Sequence, residues 1–257
     1  MKNVRPGRSN ALLKQATQTD RAVLGIRDMV LRGSVRAGKR LTELGMVDVL
    51  GVSRTPVRAA LQRLAAEGLL QSAQPNGYVV RSFSEAEIFD AIEIRGALEG
   101  LAARMAAERG VPAATLDDLK DCLAAMDTLL ATAAPGDEQL SRYGTLNARF
   151  HGLLVEAAGS AMVERILATV VSLPFAAPDA FVSAQARIPD SLAILRIAQT
   201  QHYEIVAALE ARSSARAEPL VREHARIARR NLELALHSAD ALTHLAGGAL
   251  IRRAGHG

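Results

Sequence analysis

Apolar residues recur along this chain mostly at helical spacing. From Asp20 to Arg32, Ala22, Val23, Ile26, Met29 and Val30 fall three and four apart, as on one face of an amphipathic helix, and Gly33 and Gly38 break the pattern. A short helix from Thr42 to about Val49 follows, with Thr42 as N-cap. Gly51 turns the chain, and a longer helix runs from Ser53 to about Glu67, with Ser53 as its N-cap and Pro56 in the first turn. Its apolar residues Val57, Leu61 and Leu64 should face a core. Leu69 to Ala73 and Gly77 to Phe83 read as two short strands joined by the turn Gln74-Pro75-Asn76-Gly77, a hairpin.

Beyond Phe83 the strand pattern disappears. Ser84 to Arg109, Ala113 to Thr132, Asp137 to Ala158, Ser160 to Leu173, Pro189 to Arg212 and Ala217 to about Leu245 read as amphipathic helices. Gly110-Val111-Pro112, Pro135-Gly136, Gly159, residues 174–178 and residues 213–219 separate them. The expected architecture is mostly α: an N-terminal winged helix-turn-helix followed by an all-α helical bundle. It divides into a flexible arm (1–16), a helix-turn-helix domain (17–82), a helical domain (83–245) and a tail (246–257), with the domain boundary near Ser82–Ser84.

Composition agrees with helices: of 257 residues, 49% are hydrophobic, none is Trp and only 3% are aromatic. The single cysteine, Cys122, excludes a disulfide framework and a multi-cysteine zinc site and reads as a small buried helix residue. Ala11 to Asp20, ALLKQATQTD, lacks the apolar core of a secretion signal, and Ile166 to Pro178 is too short to span a bilayer. A cytoplasmic protein without a membrane partner is expected.

The division of charge says more than the net +4. Residues 1–81 carry 14 Lys and Arg against 5 Asp and Glu, a net of +9; the remainder carries 17 against 22, a net of −5. A basic module joined to an acidic one is the footprint of a nucleic-acid reader or of a solvated basic face, and the motif decides between them. Ser53, Arg54, Thr55 and Arg58 gather at the N-terminal end of the second helix of the pair. There, backbone N–H groups attract phosphate, and an arginine fork can bind guanine. Asn76-Gly77 at the hairpin turn permits close approach to a DNA backbone.

The string GVSRTPVRAALQRLAAEGLL, followed by NGYVV, resembles the DNA-binding domain of the GntR family of bacterial transcription regulators over residues 20–81. RGALEGLAARMAA and LNARFHGLLVEAAG resemble the FadR-type C-terminal effector domain, known as FCD. The resemblance implies that Ser53, Arg54, Thr55 and Arg58 contact operator DNA and that Gly77 approaches its minor groove. It also implies a homodimer on an inverted repeat. Leu44 departs from the pattern, standing where some members carry a basic contact residue.

Of six histidines, His237, His244 and His256 read as surface or satisfied residues. Asn147 and His151 are four apart, on one helix face, and His202 and His224 lie on the last two long helices. Three imidazoles and an oxygen suit a divalent transition ion with open positions. The resemblance implies the same set, with Asn147 where an Asp is commoner, and hence one negative charge fewer. Zinc is the expected ion, with nickel, manganese or iron as other occupants.

Arg95 and Glu99, four apart, are either an exposed intrahelical ion pair or, as the resemblance implies for Arg95, a clamp for the carboxylate of a small organic acid effector in an aliphatic-lined pocket. Arg149 points away from Asn147 and reads as a surface residue. Function is therefore expected to be repression of transcription, without enzymatic activity. The alternatives are a metal sensor, or a metal-dependent enzyme with an appended DNA-binding domain. No HExxH motif supports the latter.

Overall fold

A computed structural model describes residues 17–132, 135–182 and 191–252. The expected arm (1–16), His256 and the start of the helix expected from Pro189 lie outside the described residues. The chain divides after Ser82 into two compact units.

In the first unit, α1 (Gln18–Leu31) starts at Thr17, whose side chain accepts from Asp20 N while Asp20 bonds back, a capping box. Then come β1 (Arg40–Leu41), α2 (Glu43–Leu50), α3 (Arg54–Ala66), β2 (Leu70–Ser72) and β3 (Tyr78–Val80). Thr42 caps α2 through Gly45 N, and Gly51 closes it in the left-handed conformation. Val57, Leu61 and Leu64 of α3 are fully buried with Ile26 and Val30 of α1.

The sheet has three antiparallel strands in the order β1-β3-β2, with Leu41 opposite Tyr78 and Ser72 opposite Tyr78 on the other side. The sequence pattern gives only two of them. β1 is two residues long, below the length at which alternation is visible, and it is held by pairing with β3 rather than by its own propensity.

In the second unit, β4 (Phe83–Ser84) precedes α4 (Glu85–Arg109), α5 (Ala113–Leu130), α6 (Asp137–Ala157), α7 (Ala161–Val171), α8 (Ser191–Glu210), α9 (Ser214–Leu236), the short α10 (Ala239–His244) and β5 (Ile251–Arg252). Three expectations need correction. α9 begins at Ser214 rather than at Ala217, and Pro219, expected in the break, lies inside it, because the reversal is completed by Ala211–Ser213, with Arg212 at φ +53°. The last long helix stops at Leu236, and Ser238 caps a separate turn of helix. The helical unit also carries a short parallel pairing, of Phe83 and Ser84 with Ile251 and Arg252, which anchors the segment expected to be a tail, and Leu250 is buried.

The core is built from α4, α5, α6, α8 and α9, with Ala106, Met126, Phe150, Leu154, Ile205 and Val221 fully enclosed. Cys122 is buried on α5. α4 packs against α9 through two glycines. A Cβ on Gly96 would lie 2.7 Å from Ala225 Cβ, and one on Gly100 would lie 2.8 Å from Arg222 Cγ. These glycines set how close α9, and therefore His224, comes to α4.

Alanine ordinarily favours a helix over glycine by roughly 1 kcal/mol. At Gly96 the contact with Ala225 reverses the sign, and Gly96→Ala should lose about 1–3 kcal/mol of unfolding free energy. Gly152 on α6 is exposed with open space around its Cβ direction, and Gly152→Ala should gain about 0.5–1 kcal/mol. Urea titration of both variants checks this; stabilisation by both would show that α4 and α9 do not meet at Gly96.

Candidate metal centre and nucleic-acid interface

α3 presents the expected DNA-contact residues outward. Ser53, Arg54, Thr55 and Arg58 are all exposed, and Ser53, though at the N-cap position, makes no capping bond with its side chain. Arg54 Nε lies 2.6 Å from Glu43 Oε2, yet its side chain stays 69% exposed. An ion pair this exposed contributes little, about 0–1 kcal/mol, so a phosphate or a guanine edge can replace it.

At the wing turn, Arg40 Nη1 donates to Gln74 O at 3.3 Å and Nη2 to Asn76 O, which ties down the carbonyls of the turn. Gly77 has φ +110°, and a Cβ there would sit 2.8 Å from Leu41 O. Its glycine is therefore required by β1, whatever it does toward DNA. A groove of about 510 Å³ is lined by Glu43, Leu44, Arg54, Asn76 and Gly77 among others, so the start of α3 and the hairpin turn border one surface.

In the helical unit, α6, α8 and α9 bring His151, His202 and His224 together. They are 3%, 0% and 6% exposed, and each offers a ring nitrogen within 4.8 Å of the others. Asn147, one turn before His151, is buried beside them and donates its Nδ2 to Pro178 O at 3.2 Å, which leaves its Oδ1 for other partners. His237 and His244 are exposed, with Nδ1 against the carbonyls of Glu233 and Asp240. Arg149 is exposed and pairs with Asp118 at 3.4 Å.

The groups around the rings fix their protons. Gln199 donates Nε2 to Leu123 O at 2.9 Å and to Asp127 Oδ1 at 2.8 Å, both of which only accept. Its Oε1 therefore faces His202 Nδ1, 3.3 Å away, and holds a proton there, leaving Nε2 bare. His224 Nδ1 faces Gln201 Oε1 at 3.1 Å; protonated there, it too turns a bare Nε2 inward. The two Nε2 atoms are 3.0 Å apart. In that protonation state two lone pairs face one another and repel unless a cation binds both, and bonds of about 2.0–2.1 Å to one ion place nitrogens roughly 3 Å apart. The donor set fits a divalent transition metal.

Charge stabilises the same state. Burial holds His202 well below the ordinary histidine value and, with the neighbouring His151, pushes His224 down to about 3, so both rings are neutral and able to ligate. Glu99 is a site residue the sequence reading left with two meanings. Arg95 and Glu99 are 2% and 1% exposed, which excludes the surface pair. Glu99 Oε1 lies 3.3 Å from His151 Nδ1 and its Oε2 lies 3.7 Å from Arg95 Nε. Burial raises the carboxyl, but the charges of His151 and Arg95 outweigh it and hold Glu99 at about 2. Arg95 Nη1 donates to Ala176 O at 3.0 Å.

Arg95, Asn147, His151 and His224 line one cavity of about 40 Å³, room for roughly three waters. Its apolar lining is mostly aliphatic, with Pro178, Val182, Leu195, Ala198 and Ile227 beside Phe181, and Tyr143 and Asn231 add polar groups. Gln199, Gln201, Tyr143 and Asn231 were all missed in the sequence. For three of them the signal is helical spacing from the candidate ligands: Gln199 is three before His202, Tyr143 is four before Asn147, and Asn231 is seven after His224.

Comparison with known proteins places both units. The model described as "Bacterial regulatory proteins, gntR family" matches residues 18–80, and that of the "FCD domain" matches residues 90–227. The chain is 32% identical over 160 residues to the "Probable D-xylose utilization operon transcriptional repressor" of Paenarthrobacter nicotinovorans, spanning 61% of this chain and 67% of that one. It is 33% identical over 138 residues to the Nta operon transcriptional regulator of Aminobacter aminovorans, spanning 54% and 61%. The HTH-type transcriptional repressor GlaR of Escherichia coli (strain K12) is 27% identical over 199 residues, spanning 77% and 88%. Among solved structures, E. coli McbR/YncC superposes with a TM-score of 0.60 at 21% identity, over 86% of this chain and 98% of that one. Lar of Listeria monocytogenes gives 0.57 at 18% identity, over 85% and 98%. At these identities the two structures show likeness of fold alone.

The buried cluster dictates a pH dependence. His202 and His224 take up protons more readily unfolded, from their ordinary 6.5 downward, and Glu99 does so below its ordinary 4.5. Stability of the metal-free protein should therefore fall as pH drops from about 6.5 towards 3. Melting temperatures of chelator-treated protein between pH 7 and pH 4 should decline, and His224→Leu should flatten the decline. An unchanged slope in that variant would mean the ring is not buried as described.

Proposed function

The chain belongs to the GntR family of bacterial regulatory proteins and carries an FCD domain, and from that premise we propose a homodimeric cytoplasmic repressor, released from an inverted-repeat operator by a small organic acid bound beside a divalent metal. That the chain regulates transcription follows from its family; the metal, the acid and the dimer are the further reading. The observation that carries it is the convergence of His151, His202 and His224 on one buried point beside a cavity that also contains Arg95.

In this reading His151, His202, His224 and the Asn147 oxygen hold the ion. Zinc suits three imidazoles, and nickel, manganese or iron would also be accepted. The metal supplies a positive charge and an open position for a carboxylate oxygen. Gln199 and Gln201 orient the rings, and Glu99 orients His151 and offsets the charge of Arg95. Arg95 clamps the acid, giving up Ala176 O to do so. This is a binding role rather than catalysis, because the one ionised carboxylate in the cluster is already engaged by His151 and Arg95.

Ser53, Arg54, Thr55 and Arg58 read the major groove, and Asn76 and Gly77 of the wing lie along the backbone. Two-fold pairing of chains matches two half-sites. Exposed Met162 and Ile166, four apart on α7, and Ile94 on α4 offer apolar surface for self-association. No helix among the described residues is long and apolar enough to cross a membrane.

Two outcomes test the reading. With an operator selected from random-sequence duplexes, Arg54→Ala and Arg58→Ala should each weaken binding by about 1–3 kcal/mol with the fold intact; wild-type affinity in both would remove α3 from the groove. Acid effectors found by screening should release wild-type protein from DNA. They should fail on the His202→Ala/His224→Ala double variant, which still binds operator. Equal release from both would leave the metal site without a regulatory role.

A further inference from the structure

Five buried polar atoms in and around the cavity make no hydrogen bond among the described residues. Glu99 Oε2 and Arg95 Nε face one another as an ion pair, and His151 Nδ1 faces Glu99 Oε1. The other two, Tyr143 Oη and Asn231 Oδ1, are explained by nothing above, although both residues line the cavity and are 2% and 6% exposed. Native interiors rarely leave such atoms unpaired, and where they do, an absent water or ligand is the ordinary reason.

Their position along the helices separates them from the metal end. Tyr143, Asn147 and His151 are successive turns of one stripe on α6, and Asn231 lies seven residues beyond His224 on α9. At 1.5 Å of rise per residue, Asn231 stands about 10 Å along the axis from His224. Arg95 lines the same cavity from α4. The cavity therefore has a cationic pole of Arg95 and the metal ligands, and a neutral polar pole of Tyr143 and Asn231. Leu195, Ala198 and Phe181 also line it.

The chemistry of the neutral pole selects its partner. Asn231 Oδ1 only accepts, while the phenol of Tyr143 both donates and accepts. Burial pushes the Tyr143 phenol above its ordinary value, so it keeps its proton. With the amide turned as it is here, a second carboxylate would meet Asn231 Oδ1 with like partial charges, and an ammonium has no lone pair for the Tyr143 proton. A hydroxyl group donates to one and accepts from the other.

Building on the acid-binding reading above, we propose that Tyr143 and Asn231 recognise a hydroxyl group, and that the ligand is a short hydroxy acid whose hydroxyl is set apart from its carboxylate. An effector lacking the hydroxyl leaves both groups buried and unpaired, which is how a polar site rejects a deoxy analogue.

The test is calorimetric titration of the full-length, zinc-loaded protein with matched pairs: 3-hydroxypropionate against propionate, and 3- and 4-hydroxybutyrate against butyrate. The hydroxylated member of at least one pair should bind about 10-fold or more tightly than its deoxy partner. Tyr143→Phe and Asn231→Leu should each erase that preference while the affinity for the deoxy acid stays as it was. Equal affinities within every pair overturn this inference and leave the acid-binding reading standing. A preference that survives in both variants also overturns it, since the hydroxyl then lies at the metal. If no acid binds the wild type, both readings fall together. Circular dichroism confirms folding, and should either variant misfold, Asn231→Asp supplies a second arm: its carboxylate still accepts from the hydroxyl and should retain the preference.

Discussion

The helical unit depends on one constraint: a carboxylate, a guanidinium and three imidazoles are buried together and must satisfy one another. Each ion alone would be too costly to remove from water, so none of these residues can be read singly. Glu99 is ionised because Arg95 and His151 are beside it. His202 and His224 are neutral because burial makes their charged forms unfavourable. The helices are positioned to the same end. Gly96 and Gly100 remove the side chains that would hold α9 away from α4, and the cluster sits where α4, α6, α8 and α9 meet. Beyond the rings, Asp127 and Leu123 of α5 fix Gln199, so the tautomer of a fully buried histidine is set from the helix behind it.

The DNA-reading unit follows local rules instead. Thr17 and Thr42 place the helix starts, and Val57, Leu61 and Leu64 fix the rotation of α3 by burying one face. Arg58 then lies about 90° round the helix from that face and Arg54 stands at the helix start, and both are exposed. The wing is held by Arg40 on the turn carbonyls and by a glycine where β1 leaves no room for a side chain. Little of this requires distant partners.

That contrast explains what could be read in the sequence. The helices of both units were legible because caps such as Thr42 and Ser84 and breaks such as Gly110 act within a few residues. β1 and β5 were not, since strands of two residues exist only through pairing with segments some 40 and 170 residues away in the chain. Asn147 and His151 announce themselves by their spacing, but nothing local distinguishes a buried Arg95–Glu99 pair from a solvated one: the i, i+4 pattern is identical and only packing by α9 and the 174–182 segment decides. Tyr143 and Asn231 looked like ordinary helix residues for the same reason. The sequence revealed the histidines that cluster, while the groups that orient them emerged only from the fold.

The central claim is that the three imidazoles hold a metal ion. It is tested most directly by elemental analysis of the intact protein after equilibration with micromolar zinc, nickel or manganese and removal of free ion. The account predicts about one ion per chain in the wild type, and essentially none in a folded His202→Ala/His224→Ala variant. A wild-type protein that retains none of these ions, or a double variant that retains as much, would contradict it.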